Sequence, residues 1–457
     1  RAWLISLPTS DITVAARPIH DALASLNRIE LTADVRVKLL AEYESMLELL
    51  AGSFDVASQG SGIPLKETAK LAATLHRNLW QEMAIGWKIA LVNRLEKRSL
   101  FGGGGKADPV LVQRILLSIW RFYRLSSRLY LPMPTGLWGE LHQLFRLGIK
   151  HQFLDEPGEP KNRSIACLYK YILLFSLADP LRFAPAEQDK VVELVESYGH
   201  LAHFLPVSRL AGSAGYFLIE LESDKPPRYI GSRTIDPALT GTILFDTTEL
   251  SRHLHKTEAA IEAKAPQVQD RARLLARLQI LRRALRQWAI APQRVFQRIP
   301  SHSLVELALG LPAVVFHLHE NDESPLRETM ARCLPGGADW PEAGDAMPCT
   351  LSSWQIINES PGGFAIRAVS VLEEQVRAGE IVALRTPQAG WMVASVRWLQ
   401  TNDSGGIEMG LQVLSPKAIP VLIRPTSSDG AGLPAVLLPE ISSIRQPARI
   451  AASKGSY

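Results

Sequence analysis

The sequence predicts a multidomain α+β chain, with a helical region first and antiparallel β structure last. Three observations carry that expectation. Up to about Leu201, apolar residues recur three and four apart, the period of an amphipathic helix. Beyond about Pro292 the period drops to two, as in half-buried strands. Between them, a long Arg-rich helical pattern runs to Ala289 and ends at Pro292. With 457 residues, the chain has room for two or three domains with real cores. The expected division is 1–201 helical, 202–265 a small β-containing extension, 266–292 a connecting helix, 293–425 the main β domain, and 426–457 a link with a partial β extension.

Within the first region, Val35-Leu39-Leu40-Tyr43, Leu71-Leu75-Leu79-Met83 and Val110-Ile115-Leu116-Ile119-Trp120-Tyr123 each place their side chains on one helical face. Thr32 and Asp108-Pro109 read as helix starts, a capping residue before each periodic run. Pro132, Pro134, Pro157 and Pro160 separate helices. The aromatics Trp80, Trp87, Trp120, Tyr123, Trp138 and Phe145 sit at helical spacing and are expected in the core. Gly102-Gly103-Gly104-Gly105-Lys106 superficially resembles a phosphate loop. It lacks the first glycine of that motif, Ala107 replaces the magnesium-binding hydroxyl, and no strand precedes it, so a link between helices is expected.

After Leu201, Tyr216 to Leu221 and Thr242 to Asp246 read as strands, with Pro226-Pro227 and Gly231 between them. His253 and His255 follow without a third metal ligand nearby and are expected at the surface. In the helix around 268–289, Leu274, Leu278, Leu281, Leu285 and Trp288 form a heptad-like seam. Six arginines from Arg271 to Arg286 occupy its other faces. An amphipathic helix packed on the helical region accounts for this pattern. A short coiled coil or a phosphate-rich partner for the basic face are the other options.

From Arg294 onward, strand-like runs follow at Leu304 to Leu309, Trp354 to Ile357, Phe364 to Ile366, Glu380 to Arg385, Trp391 to Trp398 and Ile407 to Leu414. Two short patterns flank them. Arg294-Val295-Phe296-Gln297-Arg298 sets two arginines four apart just before the first strand. Asn358-Glu359-Ser360-Pro361-Gly362-Gly363 is an Asn-x-Ser-x-x-Gly turn between the second and third. Each is common alone. In this order, each beside a strand and ahead of a late Met409-Gly410-Leu411 strand, they resemble the PilZ family. The resemblance covers under a third of the chain and implies a PilZ-type antiparallel β-barrel. It also implies that the two motifs bind cyclic di-GMP.

The implied ligand-binding residues are Arg294, Arg298, Asn358, Ser360, Gly362 and Gly363, and their chemistry suits the task. Cyclic di-GMP offers two phosphates and two guanines. A guanidinium forks onto phosphate oxygens or guanine O6 and N7 and also stacks on rings. Asn358 can donate to and accept from a base edge, Ser360 can hydrogen-bond a phosphate, and the glycines let backbone approach the ligand. The distance from the arginines to Asn358 is about twice what the family needs, so an insertion is expected at about 317–350. Its His317, His319, Glu320, Asp322 and Glu323 are expected in a solvated loop. Arg327 and Arg332, inside it, are the rival arginine pair.

Other function classes find little support. A net charge of +4 is too small for general nucleic-acid or membrane binding. No apolar run is long enough to span a membrane. Cys167, Cys333 and Cys349 are few and unpatterned, which fits a reducing cytoplasm. No nucleophile–base pair, paired acids or metal ligand set stands out, so no catalytic residue, cofactor or metal is expected. The chain opens at Arg1 without a signal pattern, and strand-like alternation persists close to Tyr457, which fits a longer natural chain at either end. The expected function is a cytoplasmic receptor that couples cyclic di-GMP binding to a helical output module. The expected partner is a protein of the pilus, motility or biofilm machinery. Two alternatives remain: a PilZ-type adaptor that no longer binds nucleotide, and an enzyme whose helical domain the nucleotide switches.

Overall fold

The computed structural model describes residues 11–60, 62–96, 107–158, 163–207, 214–231, 240–264, 270–290, 296–320, 351–387, 390–402, 405–423, 433–440 and 447–453. Arg294, Arg327, Arg332, Asp322, Glu323, Cys333, Cys349, the Gly102–Gly105 run and the expected link at 426–432 lie outside them. By internal packing the chain divides into two units. The first comprises 1–60, 65–180 and 185–293; the second comprises 294–457 together with Ser61–Pro64 and Leu181–Ala184.

The first unit is built on helices α1 (Ile12–Leu26), α2 (Ala33–Ala57), α3 (Glu67–Glu96), α4 (Pro109–Arg128), α5 (Leu137–His151), α6 (Ile165–Leu177) and α7 (Pro185–Tyr198). Their starts follow local chemistry. Asp11 accepts from the backbone N–H of Thr13 at 2.9 Å, Asp108 from Val110 at 2.9 Å, and Ser164 from Cys167 at 3.2 Å. Each satisfies a donor that the first helical turn leaves open. Pro109 opens α4, where its missing N–H costs nothing. Trp80, Trp87, Trp120, Tyr123, Trp138 and Phe145 are all buried.

A four-stranded antiparallel sheet follows, in the order β1 (His203–Pro206), β4 (Thr242–Asp246), β2 (Tyr216–Glu220), β3 (Arg228–Tyr229). Helices α8 (Thr248–Lys264) and α9 (Arg271–Ala289) complete the unit. The seam of α9 is its core face: Leu278, Leu281, Leu285 and Trp288 are buried. The indole N–H of Trp288 donates to the carbonyl of Leu174 in α6 at 2.8 Å. On the opposite side Arg282 pairs with Glu258 and Glu262, and Arg283 with Glu187. His253 and His255 are exposed, and no cluster of three metal-binding side chains occurs among the described residues.

In the second unit β7 (Leu351–Ser360), β6 (Leu304–Leu309), β9 (Ile381–Thr386), β10 (Gly390–Thr401), β11 (Ile407–Ser415) and β8 (Gly363–Ala368) pair in that order. β8 then pairs back to β7, closing a six-stranded antiparallel barrel; β5 (Ile299–Pro300) adds to the outside of β7. Its interior is filled by residues such as Trp354, Ile356, Leu384, Ile366, Met409 and Leu399. A separate sheet of β12 (Ile419–Ile423), β13 (Leu433–Leu438) and β14 (Arg449–Ala452) follows.

One expectation is corrected. His317 does not sit in a solvated loop. It lies on helix α10 (Gly310–Glu320), is 7% exposed, and stacks on Trp391 at 5.2 Å. Gly310 and Pro312 occupy the first turn of α10, where both are tolerated, so the breakers mark its start. Val314, Val315 and Leu318 join a core cluster with Ala383 and Val393 of the barrel and Val436 and Leu438 of β13.

Candidate functional site

The barrel's outer face over β7, β8, β11 and β10 is set by its register. Cross-strand partners share a face, and successive residues alternate between faces. Ile356, Ile366, Met409 and Leu399 are aligned across the four strands, and all are at most 2% exposed. The adjacent row is Asn358, Ala365, Gly410 and Trp398, which faces outward. The row beyond it holds Ser360, Gly363, Gln412 and Ser395.

Two β-bulges create this outward row. Ile357 is extra on β7, between the pairs Ile356–Ile366 and Asn358–Ala365. Arg397 is extra on β10, between Val396–Leu411 and Trp398–Gly410. In a regular strand Asn358 would share the inward face of Ile356, and Trp398 that of Val396. A bulge adds one residue and so reverses the phase. The first bulge is held from outside: the carbonyl of Ile357 accepts from the N–H of Ser301 at 3.2 Å, just beyond β5.

Small residues make the floor of the resulting cleft. A Cβ on Gly410 would lie 1.9 Å from Nε1 of Trp398, so the indole rests directly against the strand. Gly363 has φ +155°, and a Cβ there would lie 1.9 Å from the Leu411 carbonyl oxygen. Only glycine fits either place. The turn from β7 to β8 is closed by the Ser360 hydroxyl, which donates to the Gly363 carbonyl at 3.2 Å. The ring of Phe296 packs beside Gly362 yet stays 51% exposed.

Arg298, Asn358, Ser360, Gly362 and Gly363 all line this one cleft, of about 250 Å³. Arg294 lies outside the described residues. Phe296, Trp398, Arg397, Gln412 and Arg182 line the cleft too, and the motifs did not point to them. Arg397-Trp398 could have been found only by noticing that the alternation of β10 slips there. Arg182 carries no local signal at all, since it lies more than a hundred residues before the arginine motif. Beside the cleft, Arg367 is held by Glu408 at 2.7 Å and extends the polar face. The arrangement offers guanidinium groups, two aromatic faces, an amide, a hydroxyl and flat small-residue backbone. That set can grip a phosphorylated purine by charge, stacking and edge hydrogen bonds.

Comparison with known proteins bears on this geometry directly. Residues 216–332 and 341–420 match the family described as "Cyclic-di-GMP receptor FimW, middle PilZ domain", and residues 1–208 match its N-terminal domain. The chain belongs to the PilZ-domain cyclic di-GMP receptor family. A relative from Pseudomonas aeruginosa, named Cyclic-di-GMP receptor FimW, is 25% identical over 98% of this chain and 82% of its own length. The PilZ match includes every described motif residue, from Arg298 to Gly363, and both bulges. Neither matched family is an enzyme family. Among the described residues, no helix is long and apolar enough to cross a membrane.

Proposed function

We propose that the chain is a receptor that binds cyclic di-GMP in the cleft on the outer face of the PilZ barrel. The observation that carries this reading is the convergence of Arg298, Asn358, Ser360, Gly362 and Gly363 on one cleft that also presents Phe296 and Trp398. Arg294, four residues before Arg298, is assigned as the second motif arginine. Each bidentate arginine contact to a guanine contributes about 1–3 kcal/mol, and stacking on a ring about 0.5–2 kcal/mol. Micromolar binding needs a net of about 8 kcal/mol, so several such contacts must act together. The name of the Pseudomonas aeruginosa relative supports the same ligand.

The receptor has no catalytic step and acts in the cytoplasm. The helical region, 1–201, is its output module, and its partner is a protein of the machinery for pili, motility, surface attachment or biofilm. Calorimetry of the full chain with cyclic di-GMP tests the ligand, with GMP and cyclic di-AMP as controls. The expected result is saturable binding of cyclic di-GMP alone. No binding of it, or equal binding of all three, overturns the reading.

A further inference from the structure

We propose that Arg182 is a further nucleotide-contacting residue, an inference that rests on the receptor reading above. The segment Leu181–Ala184 packs within the unit formed by 294–457. There Arg182 lines the same cleft as Arg298, Asn358, Ser360 and Trp398. Its backbone is closely held. Asp179 adopts a positive φ of 59°, a one-turn 3-10 helix spans Pro180–Arg182, and Pro185 begins α7. Phe183, next along, is 1% exposed. Two fixed proline φ angles and a buried ring leave the segment few alternative conformations, so a contact through Arg182 loses little entropy on forming.

The chemistry of the cleft selects the ligand group. Arg182, Arg298 and Arg397 line it, and none of the described lining residues is acidic. Cyclic di-GMP carries two phosphodiester charges and two guanine edges, more than the two motif arginines can grip. A guanidinium from a distant part of the chain can take one of these groups by a charge-assisted, forked contact. The segment runs on directly from α6 and into α7.

The test compares the full-length parent with Arg182→Ala, Arg182→Lys and Arg298→Ala by calorimetry with cyclic di-GMP, using circular dichroism to confirm folding. Arg182→Ala is expected to weaken binding at least tenfold. Arg182→Lys should recover only part of that loss, because it restores charge without the fork. In the parent, saturating cyclic di-GMP should slow phenylglyoxal modification of Arg182 at least threefold, read by peptide mass spectrometry. A folded Arg182→Ala protein with unchanged affinity overturns the assignment, as does an unprotected Arg182 in the saturated parent. Should Arg182→Ala misfold, the protection measurement on the parent decides alone. A parent that binds no cyclic di-GMP defeats the receptor reading and this inference together. Binding lost in Arg298→Ala but kept in Arg182→Ala defeats this inference only.

Discussion

Arginine and aromatic residues abound in both units, but the two units use them differently. In the helical unit several guanidinium groups lie over buried rings: Arg121 over Trp80 at 4.2 Å, Arg114 over Trp87 at 5.0 Å and Arg124 over Trp120 at 5.5 Å. Arg114 and Arg121 also pair with Glu44 and Glu48. Arg36 is 2% exposed and donates to the carbonyls of Leu26 and Ile29 at 2.9 and 2.6 Å, closing the turn after α1. In the barrel, Arg298 and Arg397 are exposed, Phe296 is half-exposed, and glycine and alanine lie among them. Residue type alone therefore does not mark a binding site. What marks it is small backbone between the large side chains, which leaves room for a guest.

The sharpest way to break this contrast is to truncate one aromatic of the helical interior. Trp87→Ala should destabilise the helical unit by about 3–5 kcal/mol, the usual cost of emptying a buried aromatic site. Urea unfolding would measure it. Nucleotide affinity of the remaining folded protein should not change, and a parallel loss of affinity would mean that the two units do not use these residues differently.

Next in size is Gly363→Val. The strained φ and the clash with the Leu411 carbonyl should cost the barrel about 2–4 kcal/mol. The circular-dichroism signal of the strands should melt earlier while the helical signal holds. Arg298→Ala should do the reverse of Trp87→Ala. Its affinity for cyclic di-GMP should fall at least tenfold, about 1.4–3 kcal/mol, with little change in stability. Equal affinity in the folded variant would place the site elsewhere, with Arg327 and Arg332 the next pair to test.

The smallest effect concerns pH. Burial first, then the nearby Arg128, Arg121 and Arg124, bring His76 down to about 3. Its ring stacks on Phe54 at 4.3 Å. Between pH 6.5 and about 3 the unfolded chain holds a proton there that the folded chain refuses. This group therefore leaves stability intact above pH 6.5 and erodes it as pH falls toward 3, by up to about 1.4 kcal/mol per pH unit. Urea unfolding of parent and His76→Leu across pH 7 to 5 should show a shallower slope in the variant. Identical slopes would show that His76 does not titrate on unfolding in this window.

The helices were legible because apolar period and burial coincide over much of their length: Leu75, Leu79 and Met83 of α3 are all buried, although Val35, Leu39, Leu71 and Val110 of the same apolar runs are exposed. The strands around the two motifs were legible from their alternation. The bulges were not, because one extra residue changes no composition and barely disturbs a pattern. Val396 and Trp398 read as same-face partners until the pairing shows Arg397 between them. The helix α10 was missed because a short apolar run after Gly310 and Pro312 looks the same whether it continues a strand, ends one or starts a turn of helix. Arg182 was illegible for a different reason. Its place beside the motif residues depends on long-range packing that no local pattern encodes.

The seat of Trp398 against Gly410 has an optical consequence. Trp80, Trp87, Trp120, Trp288 and Trp354 are sealed in interiors, where a guest at the barrel surface does not touch them. Trp398 stands in the wall of the cleft itself, half-exposed, with one edge pressed to bare backbone. A purine entering there meets an excited indole at van der Waals distance and should change its emission, while the sealed tryptophans supply a constant background. The cleft thus carries its own fluorophore, so occupancy should be readable in unlabelled protein.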